Sequence, residues 1–366
     1  DTNLPRINYD GFSYDGSGAI IPNSGCGSWL FEPQSTNLIT YSELFSDASW
    51  AKTNATISSN ALISPNGSLN ADKLVDTAVL GQHRINFTTT SALGDNTFSV
   101  FAKKGEREFL WLRIGISSGY FNLSNGFAQG SVGTLASSID YGNGWYKCII
   151  NKTNSEANEI CRINITETFG GSDYLGDGTS GAYIWGASYE QQSYATSYIP
   201  TEGTTVTRNQ DVCNNGGSVS TINSTEGVLY AEISALDNPT SQEIALSVSE
   251  GQSGANRLLI RMKTNGAIGI VLRVANTTEA AIDSGVLNQL ANHKVAVKWK
   301  VNDIALWIDG VEVGTDNLAN VFPVNTLDEV SFNQGNNSNQ FFGKTKCLAV
   351  WKTALSDTEL EELTTI

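Results

Sequence analysis

The sequence predicts an all-β protein made of two β-sandwich (jelly-roll) domains in tandem, with an irregular N-terminal arm. Charged residues make up only 16% of the 366 residues, while glycine occurs 35 times. Thr, Ser, Asn, Val and Ile are frequent, and long charged helical patterns are nearly absent. This composition is typical of short strands joined by tight turns. A period-two alternation of apolar and polar residues is the second observation, and it locates the strands.

The clearest alternation covers residues 294–313. Two apolar runs occupy every second position there: Val295, Val297 and Trp299, then Ile304, Leu306 and Ile308. Asn302-Asp303 and Asp309-Gly310 supply turns after the runs, so we expect an antiparallel meander with one buried face. Trp299 lies in phase with the buried positions. Trp307 points to the opposite face from its neighbours, and we expect it to be exposed.

Residues 37–208 form the predicted first β domain. Its strands are expected at five apolar segments: 98–103, 109–114, 144–150, 162–165 and 182–187. Strands at this spacing, separated by turns, are typical of a sandwich or jelly roll. The Gly-, Ser- and Asn-rich residues 1–36 before it predict the irregular arm, either packed on a neighbour or loosely ordered.

Residues 209–224 are polar and predict a linker, and residues 225–366 form the predicted second β domain. Beyond the meander, its strands are expected at four further segments: 228–233, 258–262, 269–273 and 341–351. One helix is predicted near the end of the chain. Ser356 is a good N-cap for it, and Glu359 completes a capping box.

The acidic charge of the chain narrows its partners. There are 37 acidic against 22 basic residues, a net charge of -15. Such a surface repels phosphate backbones and anionic membranes, so no nucleic-acid partner is expected. No apolar run is long enough to cross a bilayer, so no membrane insertion is expected. Five cysteines without paired short spacings indicate neither a zinc site nor a disulfide framework. Because the chain begins at Asp1 and not at methionine, we expect a processed product or an excised fragment.

Four phrases of the first domain carry a family resemblance. They are residues 32–38 (EPQSTNL), 41–50 (YSELFSDASW), 178–187 (GTSGAYIWGA) and 194–201 (YATSYIPT). Together they resemble phage and prophage structural proteins, often tail-associated, that carry carbohydrate-binding-module-like jelly rolls. The resemblance covers Pro5 to Asp211. It implies a virion or extracellular location, other virion proteins as partners, and a homo-oligomer, with a trimer as the simplest expectation.

The second domain resembles the laminin-G and concanavalin-like lectin superfamily. Residues 307–310 (WIDG) and 350–360 (VWKTALSDTEL) carry this resemblance. It implies a sandwich of the sugar-binding kind, although a fold does not by itself determine a function. Calcium is the candidate ion in both resembled folds.

Aromatic side chains beside polar loops are the candidate glycan-binding residues. Sugars bind through apolar contact with exposed rings and through planar polar groups. In the first domain the candidates are Trp111, Tyr120, Phe121 and Asn122, next to a loop with Asn125 and Gln129. Trp307 is the candidate in the second domain. Core packing is the alternative interpretation of Trp111 and Tyr120.

The candidate calcium ligands are Asp72, Asp173 and Asp177. Carboxylates are preferred ligands of this hard ion, but none of the three belongs to a closed motif. Solvated loop acids are the alternative interpretation.

Catalytic signatures are sparse in the sequence, and no catalytic residue is assigned. His83 and His293 are the only histidines, and they lack metal-ligand spacing. The sequence contains no Gly-x-Ser-x-Gly elbow and no phosphate-cradling glycine loop. The pair His83-Arg84 could serve a lyase as a base site, with a surface pair as the alternative.

These observations favour a non-enzymatic virion surface protein, a tail fibre, spike or decoration, for host-glycan binding or display. Glycans or the host cell surface are its expected partners. Two alternatives stay open. One is a polysaccharide lyase or glycoside hydrolase with a binding module, and the other is a purely structural capsid or tail component.

Overall fold

The structure, a computed structural model, is nearly all-β and describes residues 6–8, 12–14, 20–22, 27–89, 93–155 and 158–366. Its chain divides into two compact units. The central unit consists of residues 34–209 with the strands between 12 and 22. The C-terminal unit consists of residues 210–366 together with 6–8 and 27–33. The predicted all-β fold class is confirmed.

Short strands make up most of both units. The first five are β1 Arg6–Asn8, β2 Phe12–Tyr14, β3 Ile20–Pro22, β4 Ser28–Phe31 and β5 Ser35–Asn37. Fifteen more follow in the central unit: β6 Ala51–Thr53, β7 Ala55–Ile63, β8 Leu69–Asp76, β9 Leu80–Gly81, β10 His83–Thr88, β11 Gly94–Lys104, β12 Phe109–Ile114, β13 Ser117–Asn122, β14 Ala128–Gly130, β15 Thr134–Asp140, β16 Trp145–Ser155, β17 Ile160–Thr166, β18 Tyr174–Leu175, β19 Gly181–Glu190 and β20 Val206–Arg208. The C-terminal unit adds β21 Glu226–Ala235, β22 Ile244–Ser249, β23 Arg257–Met262, β24 Ala267–Val274, β25 Thr277–Val286, β26 His293–Lys300, β27 Ile304–Ile308, β28 Val311–Asp316, β29 Glu329–Ser331, β30 Gly343–Trp351 and the helix α1 Asp357–Thr364.

The central unit is a sandwich of two six-stranded antiparallel sheets. The front sheet has the order β14-β13-β12-β17-β10-β6, and the back sheet has the order β15-β16-β11-β19-β8-β7. Leu110, Leu112 and Ile163 of the front sheet pack with Phe98 and Ile184 of the back sheet in one buried core. The five strands predicted from apolar segments of this region all lie in these sheets.

The C-terminal unit is a second sandwich. A seven-stranded sheet in the order β1-β4-β30-β21-β26-β27-β28 faces a five-stranded sheet in the order β25-β24-β23-β22-β29. The predicted meander over residues 294–313 forms β26, β27 and β28. Trp299 is fully buried among the core residues between these sheets, as its phase predicts.

The N-terminal arm differs from the irregular segment expected over residues 1–36. Within the described residues, β4 pairs with β30 of the C-terminal unit, and β5 pairs with β20 of the central unit. β4 extends the seven-stranded sheet beyond β30, whereas β5 and β20 form a separate two-stranded sheet. Three or four residues are too few to show a period in a Gly- and Ser-rich stretch. The predicted linker over 209–224 is also packed, because Ile222 lies in the core of the C-terminal unit.

Alternation along the front sheet separates an apolar face from a polar one. The inward side chains are fully or almost fully buried: Ile85 and Phe87 of β10, Leu110, Leu112 and Ile114 of β12, Phe121 of β13, and Cys161, Ile163 and Ile165 of β17. Gly119 of β13 also faces inward, where a Cβ atom would come within 2.5 Å of Ile150. The residues between these positions point away from the core.

Helix α1 accounts for an error in the sequence interpretation of Trp307. Ser356 caps the helix, and the predicted capping box with Glu359 is present. The helix places Leu360 against the face of β27 that carries Trp307, so that side chain is only 6% exposed. Trp307 does point away from its neighbours in β27, but its predicted exposure is wrong because that face has its own small core.

Replacing Trp307 by Ala should therefore destabilise the C-terminal unit. We expect the free energy of unfolding to fall by about 3 kcal/mol, the usual cost of deleting a buried aromatic ring. Urea denaturation measures this loss, and amide hydrogen exchange across residues 357–364 should accelerate because the helix loses its contact. Val311→Ala is the control, since Val311 is 63% exposed. Unchanged exchange in the helix of Trp307→Ala would contradict this packing.

Candidate functional site

The outward face of the front sheet, here called the front face, concentrates polar and aromatic side chains. Its members alternate with the buried residues on four adjacent strands. They are Arg84 and Asn86 of β10, Arg162 and Asn164 of β17, Phe109, Trp111 and Arg113 of β12, and Ser118, Tyr120 and Asn122 of β13. Regular pairing keeps these side chains on one side of the sheet.

Strand register arranges these side chains in two rows across the sheet. The first row runs Arg84, Asn164, Trp111, Tyr120 and Gln129, each directly opposite the next on the neighbouring strand. The second row runs Asn86, Arg162, Arg113 and Ser118. Directly opposed side chains in a sheet are close enough to act together.

The aromatic rings lie at the β13 end of the front face. Trp111 stacks on Tyr120 with ring centroids 5.4 Å apart and planes 13° apart. The Arg113 guanidinium lies 4.9 Å from the Trp111 ring centre. Trp111 is therefore covered and only 7% exposed, while Tyr120 is half-buried.

Two further aromatic residues extend this end of the face. Phe127 is 54% exposed, and its ring centre lies 5.3 Å from that of Phe169. Phe169 also contacts Tyr120 and Phe109. The accessible apolar surface of the front face is thus supplied by Tyr120, Phe127 and Phe169.

Several buried polar atoms of the front face have no hydrogen-bond partner in the protein. They are Arg84 Nε, Asn86 Oδ1, Trp111 Nε1, Arg113 Nε and Asn164 Oδ1. Asn164 is held in place because its Nδ2 donates to the Trp111 carbonyl oxygen at 2.8 Å. A buried donor or acceptor without a protein partner is costly unless water or a ligand satisfies it, and the front face brings five such atoms together.

The charge of the front face is opposite to that of the whole chain. Burial and the neighbouring arginines lower the pKa of Arg113 and of Arg162. Arg162 donates to the carbonyl oxygen of Gly115 at 2.9 Å, and Arg84 donates to the side-chain oxygen of Gln82. Across the described residues, no carboxylate forms an ion pair with Arg84, Arg113 or Arg162.

A groove of about 610 Å³ opens at the opposite end of the front face from the aromatic rings. Arg84, Asn86 and Arg162 line it together with apolar residues that include Leu38, Phe87 and Ile160. A concave, partly apolar groove with a few converging polar groups is the usual form of a small-molecule site.

The structure divides the sequence candidates for glycan binding. Trp111, Tyr120 and Asn122 lie on the front face, as their positions in β12 and β13 require. Phe121 faces the core and is 1% exposed, so it is not available to a ligand. The prediction that Phe121 binds a ligand is therefore wrong. Successive residues of a strand face opposite sides, and Phe121 follows the outward-facing Tyr120. Trp307 is covered by α1, so it is not available to a ligand either.

Sequence reasoning missed the arginine and asparagine members of the front face. Arg113 and Arg162 occupy alternate positions in two strands that the sequence did identify. One signal in the sequence could have found them. Polar and basic residues alternate with the core positions in these strands, and basic residues are few in this chain. Strand order was needed to bring them together, and sequence alone did not supply it.

The pair His83-Arg84 is split between the two faces of the front sheet. His83 is fully buried, and its Nδ1 and Nε2 lie 2.6 and 3.1 Å from the carbonyl oxygens of Asn54 and Tyr174. Arg84 points outward to the groove. The two side chains therefore do not form the base site that the lyase alternative requires.

The three candidate calcium ligands do not come together. Asp72 is buried and accepts backbone N–H groups of Phe45 and Asn60, and burial raises its pKa. Asp173 is an exposed loop residue. Within the described ranges, no group of three His, Cys, Asp or Glu side chains is arranged to hold a metal ion.

Asp177 instead shapes a loop. Its carboxylate accepts the backbone N–H and hydroxyl of both Thr179 and Ser180, and these bonds, led by those from Ser180, hold its pKa well below the usual range. The adjacent carboxylate of Asp76 is fully buried and receives Arg107 Nη2 at 2.8 Å. Asp76 also accepts the Tyr174 hydroxyl at 3.0 Å. These bonds indicate a structural role for Asp177.

Comparisons with known proteins bear on the C-terminal unit. Residues 218–361 match the Laminin_G_3 family model, described as the concanavalin A-like lectin/glucanases superfamily. This confirms the concanavalin-like resemblance for that part of the chain, while the phage resemblance stays a prediction. A search of curated proteins finds no match.

Partial similarity to several solved structures accompanies this match. The carbohydrate-binding module CBM40 of the Ruminococcus gnavus IT-sialidase, bound to alpha2,3 sialyllactose, is 22% identical, with a TM-score of 0.33 over 39% of this chain and 84% of the other. The heptameric SAP-like pentraxin of Limulus polyphemus is 14% identical, with a TM-score of 0.33 over 40% and 72%. The NanB sialidase of Streptococcus pneumoniae is 16% identical, with a TM-score of 0.33 over 39% and 24%.

In the part of the chain that the structure describes, no helix has the length and apolar character that crossing a membrane requires.

The buried ion pair of Asp76 with Arg107 predicts the effect of replacing Arg107. Arg107→Met leaves a fully buried carboxylate without its ion-pair partner, and we expect the free energy of unfolding of the central unit to fall by about 3 kcal/mol. Lys104→Met is the matched control, because Lys104 is exposed and makes only a 3.3 Å hydrogen bond to Ser124. Chemical denaturation measures both. Equal stability of the two variants would contradict a structural role for this network.

Proposed function

We propose that this protein binds glycans without cleaving them, and that the front face of the central unit is the binding surface. The observation that supports this most directly is the group of buried, unpartnered polar atoms beside accessible aromatic rings on one open sheet face. The combination of these polar atoms with accessible rings and an adjacent groove is what a carbohydrate surface requires.

The mixture of donors and acceptors on the front face suits a sugar. Trp111 Nε1, Arg84 Nε and Arg113 Nε can only donate hydrogen bonds, whereas Asn86 Oδ1 and Asn164 Oδ1 can only accept them. A sugar hydroxyl does both, so a run of hydroxyls can satisfy this set. The apolar faces of sugar rings can pack on Tyr120 and Phe127.

The dimensions of the face suit a short chain rather than a single ring. From β10 to β13 there are three strand spacings, or roughly 14 Å at about 4.8 Å each. Arg84 and the groove lie at one end of this span, and Tyr120 lies at the other. An oligosaccharide lying across the strands would contact both ends.

The C-terminal unit contributes a second lectin-like sandwich. Its match to the concanavalin-like model supports a role in the same function, although its predicted ligand contact, Trp307, is buried. We assign no binding residue to this unit.

Location and assembly belong to the proposal through the sequence resemblance alone. A virion surface, used for host attachment or display, accounts for the phage-like phrases of residues 5–211. A trimer is expected on the same ground, and light scattering of the purified chain tests it. Calcium dependence stays a prediction, and repeating glycan binding with calcium and with EDTA tests it.

Replacing Phe127 by Ala should weaken glycan binding with little effect on folding. Phe127 is 54% exposed, so the change removes accessible ring surface and leaves the core intact. We expect roughly a tenfold loss of affinity, equivalent to about 1.4 kcal/mol, for glycans that the chain selects on an array. Leu135→Ala is the control, because Leu135 is 76% exposed on β15 of the back sheet.

Two results would count against this function. One is an absence of binding across a broad array of neutral and acidic glycans. The other is equal loss of binding in the Phe127 and Leu135 variants, which would place the contact elsewhere. Release of reducing ends or unsaturated products from a bound polysaccharide would show that the binding is part of an enzyme.

A further inference from the structure

The three arginines of the front face form a cluster that the protein does not neutralise. Arg113 and Arg162 are directly opposed on neighbouring strands, and Arg84 lies on the next strand, two residues from Asn86, the partner of Arg162. Arg107 is paired with Asp76, and Arg261 with Glu243 and Asp283. Arg257 and Arg273 face each other across β23 and β24 without an ion pair in the described residues. In the described ranges, the front-face arginines have no such pair.

This arrangement costs the folded protein stability. Like charges directly opposite each other in a sheet are unfavourable, and partial burial adds a desolvation cost. Both effects are recorded in Arg162, whose pKa is lowered first by burial and then by Arg113 and Arg84. Glu159 offsets this effect only in part at Arg162. Groups held at such a cost are typical of functional sites.

We propose that Arg84, Arg113 and Arg162 form an anion subsite and that the glycan bound by the front face is acidic, with carboxylate or sulfate substituents. This inference rests on the proposed function and specifies its substrate class. The planar guanidinium fork matches a carboxylate or sulfate through paired hydrogen bonds, and the Nε atoms of Arg84 and Arg113 have no hydrogen-bond partner within the protein.

The position of the arginine cluster determines the orientation of the bound oligosaccharide on the front face. Arg84 and Arg162 line the groove, with Asn86 beside them, so an acidic sugar occupies the groove end. Tyr120 and Phe127 lie at the far end, where an apolar sugar face packs. Asn164 lies between Arg84 and Trp111 in the first row and meets the hydroxyls of the intervening ring.

A saccharide fits these observations better than a nucleic acid. Asn86 Oδ1 and Asn164 Oδ1 lie beside the arginines and can only accept hydrogen bonds, which a sugar hydroxyl can donate and a phosphodiester cannot. An oligosaccharide with one acidic group per one or two rings places its charge at the cluster and its neutral surface elsewhere.

The test begins with the full chain on an array that pairs acidic and neutral polysaccharides. The acidic members are polygalacturonate, alginate, hyaluronan, polysialic acid and chondroitin sulfate. The neutral members are methyl-esterified polygalacturonate, dextran, mannan and unsulfated chondroitin with its carboxylates reduced. A single-stranded oligonucleotide is included. We expect at least one acidic member to bind, and its neutral counterpart to bind at least tenfold more weakly. Which acidic members bind separates carboxylate from sulfate recognition.

Charge-removing variants then locate the subsite. Arg84→Gln and Arg113→Gln should each weaken binding of the acidic glycan at least tenfold. Arg84→Lys keeps the charge but loses the fork, and it should give an intermediate loss. Lys103→Gln is the control with the same charge change, because Lys103 lies on β11 of the back sheet and bonds the Asn143 carbonyl oxygen. Circular dichroism and denaturation confirm that each variant is folded.

The possible outcomes distinguish failure of the anion subsite from failure of the proposed glycan binding. Binding to neutral glycans only, weakened by Phe127→Ala, would overturn the anion subsite and leave glycan binding standing. Acidic binding that Lys103→Gln weakens as much as Arg84→Gln and Arg113→Gln would also overturn the subsite. Preference for the oligonucleotide would overturn the saccharide assignment. No binding to any member would overturn both the inference and the proposed function.

Discussion

The register of β10, β17, β12 and β13 in the front sheet is the constraint on which the rest of the central unit depends. Most inward positions on these strands carry buried apolar side chains, and a slip by one residue would move all of them to solvent. The same register also fixes the positions of the outward-facing side chains. It places arginines, asparagines, Trp111 and Tyr120 in two rows on one face. Packing of the hydrophobic core therefore determines which polar side chains become neighbours on the front face. Contacts among those side chains do not stabilise the core.

The front face shows a conflict between stability and recognition. Three neighbouring arginines repel one another, and several buried polar atoms lack partners, so this part of the sheet is held in place by the core behind it. The Asp76–Arg107–Tyr174 network and the loop bonds of Asp177 show the opposite arrangement, in which charged groups are paired within the protein. What sets the front face apart is that its unpartnered atoms lie beside three unpaired arginines, accessible rings and a groove. The C-terminal unit adds a concanavalin-like sandwich in which α1 covers the aromatic face instead of leaving it open.

Local patterns in the sequence predicted the fold well and the site only in part. Period-two alternation located the meander of β26 to β28, and the capping box located α1, because both depend on neighbouring residues. Alternation also indicates that Tyr120 and Phe121 must face opposite sides, and this should have removed Phe121 from the candidates. Burial of Trp307 depends on a helix about 50 residues later in the chain, so it was not readable locally. The arginine cluster joins residues 84, 113 and 162, and only the strand order β10-β17-β12 brings them together.

The central claim is that an acidic glycan contacts the arginines of the front face. The most direct measurement is modification of arginines by phenylglyoxal, mapped by mass spectrometry with and without the acidic polysaccharide that binds tightest. The account predicts that bound polysaccharide protects Arg84, Arg113 and Arg162, while Arg273 of the C-terminal unit reacts at an unchanged rate. Equal reaction of the three front-face arginines in the free and bound states would contradict it.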